Sequence, residues 1–96
     1  MHASALRIEL RIPQARSLKA KRGVLRPLLD DVRRTFGVSV AEVGFQDQWQ
    51  RSTVGVALVS GHHAELLKQA GAIRRRIEHR DDVEVLEVAM SYLEES

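Results

Sequence analysis

The sequence predicts a single α+β domain whose elements follow the order β-α-β-β-α-β. Three observations predict it. A segment of strictly alternating apolar residues opens the chain, two longer stretches carry apolar residues at helical spacing, and two short alternating segments lie between those stretches. The 96 residues contain no linker, low-complexity tract or internal repeat, so one domain is expected over residues 1–96.

The first strand is predicted over Leu6–Ile12, where every second residue is apolar. Such alternation is typical of a strand with one buried face, and Pro13 ends it because proline cannot donate a ladder hydrogen bond. Ser17 then suits the N-cap of a helix. Apolar residues follow at helical spacing and form one stripe: Leu18, Leu25, Leu28, Leu29, Val32 and Phe36.

Pro27 lies inside this helical pattern, where a proline costs about 3 kcal/mol. Two features reduce the conflict. Pro27 falls opposite the apolar stripe, and its ring meets the carbonyl of the unbranched Gly23 four residues earlier. One helix with a kink near Gly23–Pro27 is therefore predicted, with Gly37 as its C-terminal stop.

The remaining elements are two strands, a helix and a last strand. Val38–Val43 and Thr53–Val59 are predicted to pair as a hairpin, and His63–Ile77 has the 3.6-residue period of a second helix. A turn at Arg80–Asp82 precedes a strand over Val83–Tyr92. Four of its residues are predicted to share one face: Leu86, Val88, Met90 and Tyr92.

Right-handed crossovers arrange this order as a ferredoxin-like fold. We expect a four-stranded antiparallel sheet with both helices on one face and strands one and three in the centre. The other face then has no helix over it. It is predicted to place Arg7, Glu9 and Arg11 of strand one beside residues of strand three: Gly55, Ala57 and Val59. Small apolar residues on an uncovered face suit a homodimer packed through it.

Charge is distributed unevenly along the chain. Residues 1–35 contain nine Lys or Arg and three Asp or Glu, a net charge of +6, whereas the rest of the chain carries −4. A basic patch of this kind suits a polyanion, and it equally suits the chain's own acidic half or that of a second copy.

The predicted topology brings two basic segments to one end of the domain: the helix start at Arg16–Arg22 and the hairpin tip at Gln46–Arg51. Free N–H groups and the helix dipole make a helix start attractive to anions. The candidate anion- or nucleic-acid-binding residues are Arg16, Lys19, Lys21, Arg22, Arg26, Trp49, Gln50 and Arg51. A solvated basic face, with its stems packed over the core edge, is the alternative interpretation.

Trp49 is the only Trp and is predicted to lie at a loop tip. Its ring has three possible roles: it stacks on a base of single-stranded RNA, inserts into a protein partner, or folds back onto the sheet. Its polar neighbours Gln48, Gln50 and Arg51 favour recognition of a polar partner.

The sequence offers no pattern for catalysis, a metal or a cofactor, and no enzyme is predicted. There is no Cys for a thiolate nucleophile or a Cys-ligated metal, and no Gly-rich phosphate loop. Acylphosphatases share the predicted fold but need an Asn, and the chain contains none. RNA-recognition motifs stack bases on aromatic residues of the two central strands, and the predicted strands carry none on the uncovered face.

Three segments resemble the small bacterial YlxP-like family, domain-of-unknown-function family 503. They are Ser17–Arg22, Phe36–Val43 and Gln46–Arg51, and the resemblance extends from Leu6 to Val88. It implies a small ferredoxin-like protein without established catalytic residues. Genes of the family commonly lie among those for transcription elongation, translation initiation and ribosome maturation. Gly23 and Pro27 depart from the family pattern.

These observations predict an RNA- or ribosome-associated binding protein of translation or ribosome maturation. The alternative is a protein-interaction module or homodimeric adaptor without nucleic-acid contact. A cytoplasmic location is expected, because no apolar run approaches the roughly 20 residues that cross a bilayer and the N-terminus does not resemble a secretory signal.

Overall fold

The computed structural model describes residues 1–95 and confirms the predicted order of elements. The elements are β1 (His2–Arg11), α1 (Leu18–Phe36), β2 (Ser39–Gly44), β3 (Arg51–Ser60), α2 (His63–Glu78) and β4 (Glu84–Glu94). The sheet is antiparallel in the order β2-β3-β1-β4, with β1 and β3 central as predicted. No helix within residues 1–95 has the length and apolarity needed to cross a membrane.

The core lies between the sheet and the two helices. Inward-facing residues of β1 and β3 alternate with residues of the other face, and apolar residues of α1 and α2 cover them. The most deeply buried apolar residues, at 0–2% exposure, include Leu6, Ile8, Leu10, Leu28, Val32, Val54, Val56, Leu58, Leu66, Ile73 and Ile77. Burial of this apolar surface is the main force that holds α1 and α2 on the sheet.

Both ends of α1 lie where the sequence predicts them. The Ser17 hydroxyl oxygen accepts a hydrogen bond from the Ala20 N–H at 3.0 Å, which is the N-cap geometry. Gly37 ends the helix in the left-handed conformation with φ 64°, and its N–H donates to the Arg33 carbonyl. The helix runs unbroken through Pro27, which is exposed on the side away from the core.

β1 begins at His2, earlier than predicted. Ser4 is buried on the inward face while Ala3 and Ala5 lie on the other face, so the apolar-inward alternation of Leu6–Ile12 does not extend to these residues. This longer strand corrects the predicted neighbours on the uncovered face. Only Arg7 and Gly55 are partners as expected. The other β1–β3 partners on this face are Ala3 with Val59, Ala5 with Ala57, Glu9 with Thr53 and Arg11 with Arg51.

β4 departs from its predicted alternation at Leu86. Its pairing with β1 shifts after Glu9, so that Val85 and not Leu86 lies opposite Leu10. Leu86 is the additional residue of this bulge and stays exposed, whereas Val85 packs against the core. A bulge reverses the alternation from that point on, which is why Leu86 does not share the face of Val88.

Candidate nucleic-acid interface

Lys21 joins the start of α1 to the β2–β3 loop, residues 45–50. Its ammonium donates to the main-chain oxygens of Phe45 at 2.7 Å and Gln48 at 2.6 Å, and it lies 2.9 Å from the Glu42 carboxylate. The side chain is only 2% exposed. Because an ammonium has three N–H donors, these three acceptors satisfy it fully.

The helical wheel explains why this lysine faces inward. Lys21 lies three residues after Leu18 and four before Leu25, so it occupies the apolar stripe of α1. Glu42 shares the inward face of β2 with Val40, and its carboxylate also accepts from the Ser52 hydroxyl at 2.7 Å. A buried ion pair is tolerated when further hydrogen bonds satisfy both charged groups. Here the ammonium also donates to two carbonyl oxygens, and the carboxylate also accepts from Ser52.

Phe45 has an unusual backbone conformation, which its hydrogen bond with Lys21 stabilises. It is the only non-glycine residue within residues 1–95 with positive φ, at 54°. Its carbonyl accepts from Lys21 and from the Gln48 N–H, the latter at 3.0 Å. A left-handed conformation costs a non-glycine residue roughly 1–2 kcal/mol, so the hydrogen bonds to its carbonyl hold it in place.

Arg51 lies at the end of the same loop. Its guanidinium carbon is 4.6 Å from the centroid of the Phe45 ring, a cation–π contact. Its Nε is buried and has no hydrogen-bond partner within the described residues. Arg51 is therefore half-buried, with one face of its guanidinium against the Phe45 ring.

Gln50 connects the loop to the segment before α1. Its amide donates to the Pro13 oxygen at 3.3 Å and the Ala15 oxygen at 3.1 Å, and its own carbonyl accepts from the Ile12 N–H at 2.9 Å. The topology predicted that the helix start and the hairpin tip meet at one end, and these contacts bring them together.

Trp49 lies between these anchored residues, yet its side chain is 51% exposed. The residues on either side have inward contacts: the Gln48 carbonyl binds Lys21, and the Gln50 amide binds the β1–α1 segment. The indole is thus presented on a loop that is fixed by hydrogen bonds from both sides.

Four cations at this end remain exposed. Within residues 1–95 their side chains take part in no ion pair and no hydrogen bond; they are Arg16, Lys19, Arg22 and Arg26. The last three line a shallow groove of about 460 Å³ on the outer side of α1, together with Gly23 and Pro27. The first turn of α1 contains no acidic residue that would neutralise them.

Lys19, Arg22 and Arg26 form a row of exposed cations along α1, and this row ends at Arg26. Arg33 continues it on the helical wheel, but its guanidinium is 2.9 Å from the Asp30 carboxylate and donates to the Val40 oxygen at 3.1 Å. Further around α1, Asp31 forms two hydrogen bonds with Arg76, at 2.7 and 2.8 Å. These bonds hold the pKa of the Asp31 carboxyl below its ordinary value.

The structure divides the candidate residues into two groups. Lys21 and Gln50 are part of the scaffold, because their polar atoms already bind the loop and the segment before α1. This corrects the placement of Lys21 among the ligand-binding cations. Arg51 is half-buried over Phe45. The exposed group is Arg16, Lys19, Arg22, Arg26 and Trp49.

Sequence reasoning missed the roles of Phe45 and Glu42. The signal for Glu42 and Lys21 was present: each is a charged residue at an inward position, one on a strand and one on the apolar stripe of a helix. Two such charges of opposite sign predict a buried pair. No comparable signal marks Phe45, because aromatic residues rarely adopt positive φ.

The fold and this surface define a small ferredoxin-like α+β protein with a cationic groove and an exposed Trp beside one helix start. The chain belongs to the family described as protein of unknown function (DUF503), which matches residues 4–90. It is 38% identical over 73 residues to a protein of Bacillus subtilis (strain 168) named uncharacterized protein YlxP, covering 76% of this chain and 79% of that relative.

One solved structure has a coarser similarity. It is that of a REP-associated tyrosine transposase bound to a REP hairpin, with a TM-score of 0.47 and 10% sequence identity. The similarity covers 98% of this chain and 57% of that chain. At this level it does not bear on what the present protein binds.

Proposed function

We propose that the protein is an RNA- or ribosome-associated binding factor that contacts single-stranded RNA through the exposed group at the start of α1. The observation that carries the proposal is twofold: an unneutralised cationic groove lies on the outer side of α1, and the loop that Lys21 ties to the first turns of the same helix carries an exposed indole. Phosphates bind arginine and lysine, and bases stack on aromatic rings, so single-stranded RNA suits both features at once.

Fixed geometry supports a binding role for Trp49. A loop without internal anchors loses conformational entropy when a ligand orders it, and that loss weakens binding. Here Lys21 and Gln50 hold the loop before any ligand arrives. An acidic protein partner is the competing occupant of the cations, but it gives no comparable reason for an exposed indole on the loop tied to the same helix start.

The experiment measures binding of a fluorescently labelled single-stranded RNA 12-mer by anisotropy over a series of salt concentrations. Four phosphate contacts predict a slope of about −3 for the logarithm of the association constant against the logarithm of salt concentration. The variant Arg22→Ala/Arg26→Ala is expected to bind on the order of tenfold more weakly and to have a slope nearer −1.5.

A matched control removes the same charge elsewhere. Arg74→Ala/Arg75→Ala changes two exposed arginines of α2 and gives the same net charge. It should bind RNA almost as well as the unmodified protein. Equal losses in the two double variants, or no RNA binding at low salt, would refute the proposal. Retained binding to an acidic polypeptide of matched charge, but not to RNA, would indicate the protein-interaction alternative.

Association with the ribosome is tested by co-sedimentation with purified ribosomal subunits in a sucrose gradient. The unmodified protein and Arg74→Ala/Arg75→Ala should sediment with a subunit at low salt, and Arg22→Ala/Arg26→Ala should remain at the top. RNA binding without co-sedimentation would restrict the proposal to free RNA.

A further inference from the structure

The sheet face without helices is the largest feature that the proposed RNA surface does not use. Its residues form rows across the strands. At one end the row is Val59, Ala3 and Leu93, and the next is Ala57, Ala5 and Ser91. Val59 and Leu93 are 69% and 60% exposed, which is high for aliphatic residues with no partner.

The other end of the face is charged. Arg7 lies beside Gly55, and the next row contains Glu9 and Glu87. The side chains of Arg7 and Glu9 approach each other at 3.8 Å, and Arg7 is 60% exposed. A hollow of about 330 Å³ lies beside Gly55, bordered by Arg7 and Val43, and the Val43 side chain lies close to where a side chain at Gly55 would be. The face therefore has an apolar end, a hollow and a charged end.

We propose that a second copy of this chain covers the face and forms a two-fold homodimer. The area is sufficient. With strands about 4.8 Å apart and about 3.4 Å per residue, the four strands offer about 500 Å² per copy, or about 1,000 Å² in total. This value is about the smallest total area expected of a biological interface, so a weak association is expected.

The two ends of the face determine the orientation of the copies. A two-fold axis along the strands, between β1 and β3, places each row against the same row of the partner, apolar on apolar. An axis across the strands places the apolar end against the charged end. In the first arrangement Arg7 lies over the partner's Gly55, beside the hollow. Contact between the two apolar rows favours that arrangement.

The proposal is independent of RNA binding, because the cationic groove lies on the outer side of α1 and not on this face. A dimer would carry two such grooves. RNA binding and dimerisation can therefore be lost separately, and separate measurements distinguish the two losses.

The oligomeric state is tested by sedimentation velocity from 1 to 100 µM. The unmodified protein is expected to reach twice its monomer mass with rising concentration, and Ala57→Arg to remain a monomer. Ala57 is exposed on the central strand β3, in the second row from the apolar end, so this variant is expected to fold, and circular dichroism checks it. The control Ala64→Arg adds the same charge at an exposed position of α2 and should still dimerise.

A monomer at 100 µM would overturn the proposal, as would a dimer that Ala57→Arg does not disrupt. A monomer that binds a different protein through Ala57 would assign the face to that partner and also overturn it.

A single cysteine tests the orientation, because the chain has none of its own. In the row-on-row arrangement the two copies of Val59 lie near each other, and Val59→Cys should cross-link efficiently through a short bis-maleimide. With the axis across the strands they lie far apart, and the absence of a cross-linked dimer would refute the proposed orientation.

Discussion

Lys21 and Arg22 are adjacent in sequence and have opposite environments. Lys21 is buried and satisfied by two carbonyl oxygens and a carboxylate, whereas Arg22 is exposed and lines an open groove. A step of about 100° around the helix separates them. The cations at this helix start therefore have two kinds of environment: Lys21 binds the loop through hydrogen bonds, and its neighbours are exposed to solvent.

The difference between Lys21 and Arg22 should appear most strongly in the free energy of unfolding of variants at the two positions. Lys21→Met preserves the length of the side chain but removes a donor from the Phe45 and Gln48 oxygens and the charge that faces the Glu42 carboxylate. The Phe45 oxygen keeps the Gln48 N–H, and the carboxylate keeps the Ser52 hydroxyl. We expect a loss of about 2–4 kcal/mol in the free energy of unfolding. Chemical denaturation followed by circular dichroism measures it. Arg22→Met is the matched control and should stay within about 0.5 kcal/mol of the unmodified protein. Equal stabilities would show that the Lys21 ammonium is not buried in solution.

Glu42→Gln gives a smaller effect at the same contact. The amide still accepts a hydrogen bond but loses the charge that faces Lys21, and the two main-chain acceptors remain. The expected loss is about 1–2 kcal/mol. In a Lys21→Met background the same change should cost much less, because the partners are coupled. Additive losses in the double variant would contradict this coupling.

Trp49→Ala tests whether the indole contributes to RNA affinity or to the stability of the fold. Because half of the indole is exposed, we expect a stability loss below about 1 kcal/mol, against about 3–5 kcal/mol for a fully buried ring. RNA affinity should fall by roughly five- to a hundredfold, as base stacking is worth about 1–3 kcal/mol. A protein that melts much earlier but binds RNA normally would identify Trp49 as a packing residue. Tryptophan fluorescence adds a direct reading: the free protein should emit at long wavelength, and RNA should quench it.

The Asp31–Arg76 pair is expected to have the smallest effect on stability, in contrast to the buried Lys21–Glu42 pair. Their pair is exposed, and its hydrogen bonds lower the pKa of Asp31 in the folded protein. A lowered folded-state pKa gives stability that is present above the unfolded pKa and disappears as pH falls through the folded value. Thermal melts of the protein and of Asp31→Asn should therefore differ slightly at pH 7 and converge as the pH falls through and below the ordinary range of an Asp carboxyl, about 4. A difference that persists in acid would show that Asp31 acts through packing.

Much of the fold could be predicted because local signals and topology agree. Alternation in β1 and β3, the Ser17 cap and the Gly37 stop each identify an element or its end. The start of β1 was missed because polar Ser4 occupies an inward position and Ala3 and Ala5 the other face, which reverses the alternation. The bulge at Leu86 was missed because a one-residue shift leaves no mark in the sequence.

The candidate site was less accessible to sequence reasoning. The meeting of the helix start with the loop follows from chain direction alone. Which cations point outward depends on the helical wheel, and that wheel already placed Lys21 among Leu18 and Leu25. The conformation of Phe45 depends on tertiary hydrogen bonds, so no local pattern predicts it.

The hydrogen bonds of Lys21 also affect how the molecule opens. A single side chain ties the first turns of α1 to two carbonyl oxygens of the β2–β3 loop. Neither segment can unfold locally without breaking the bonds of the other, so fraying of the helix end and opening of the loop become one cooperative event. The backbone amides of the two segments are then protected from solvent exchange to a similar degree, although more than twenty residues separate them in the chain.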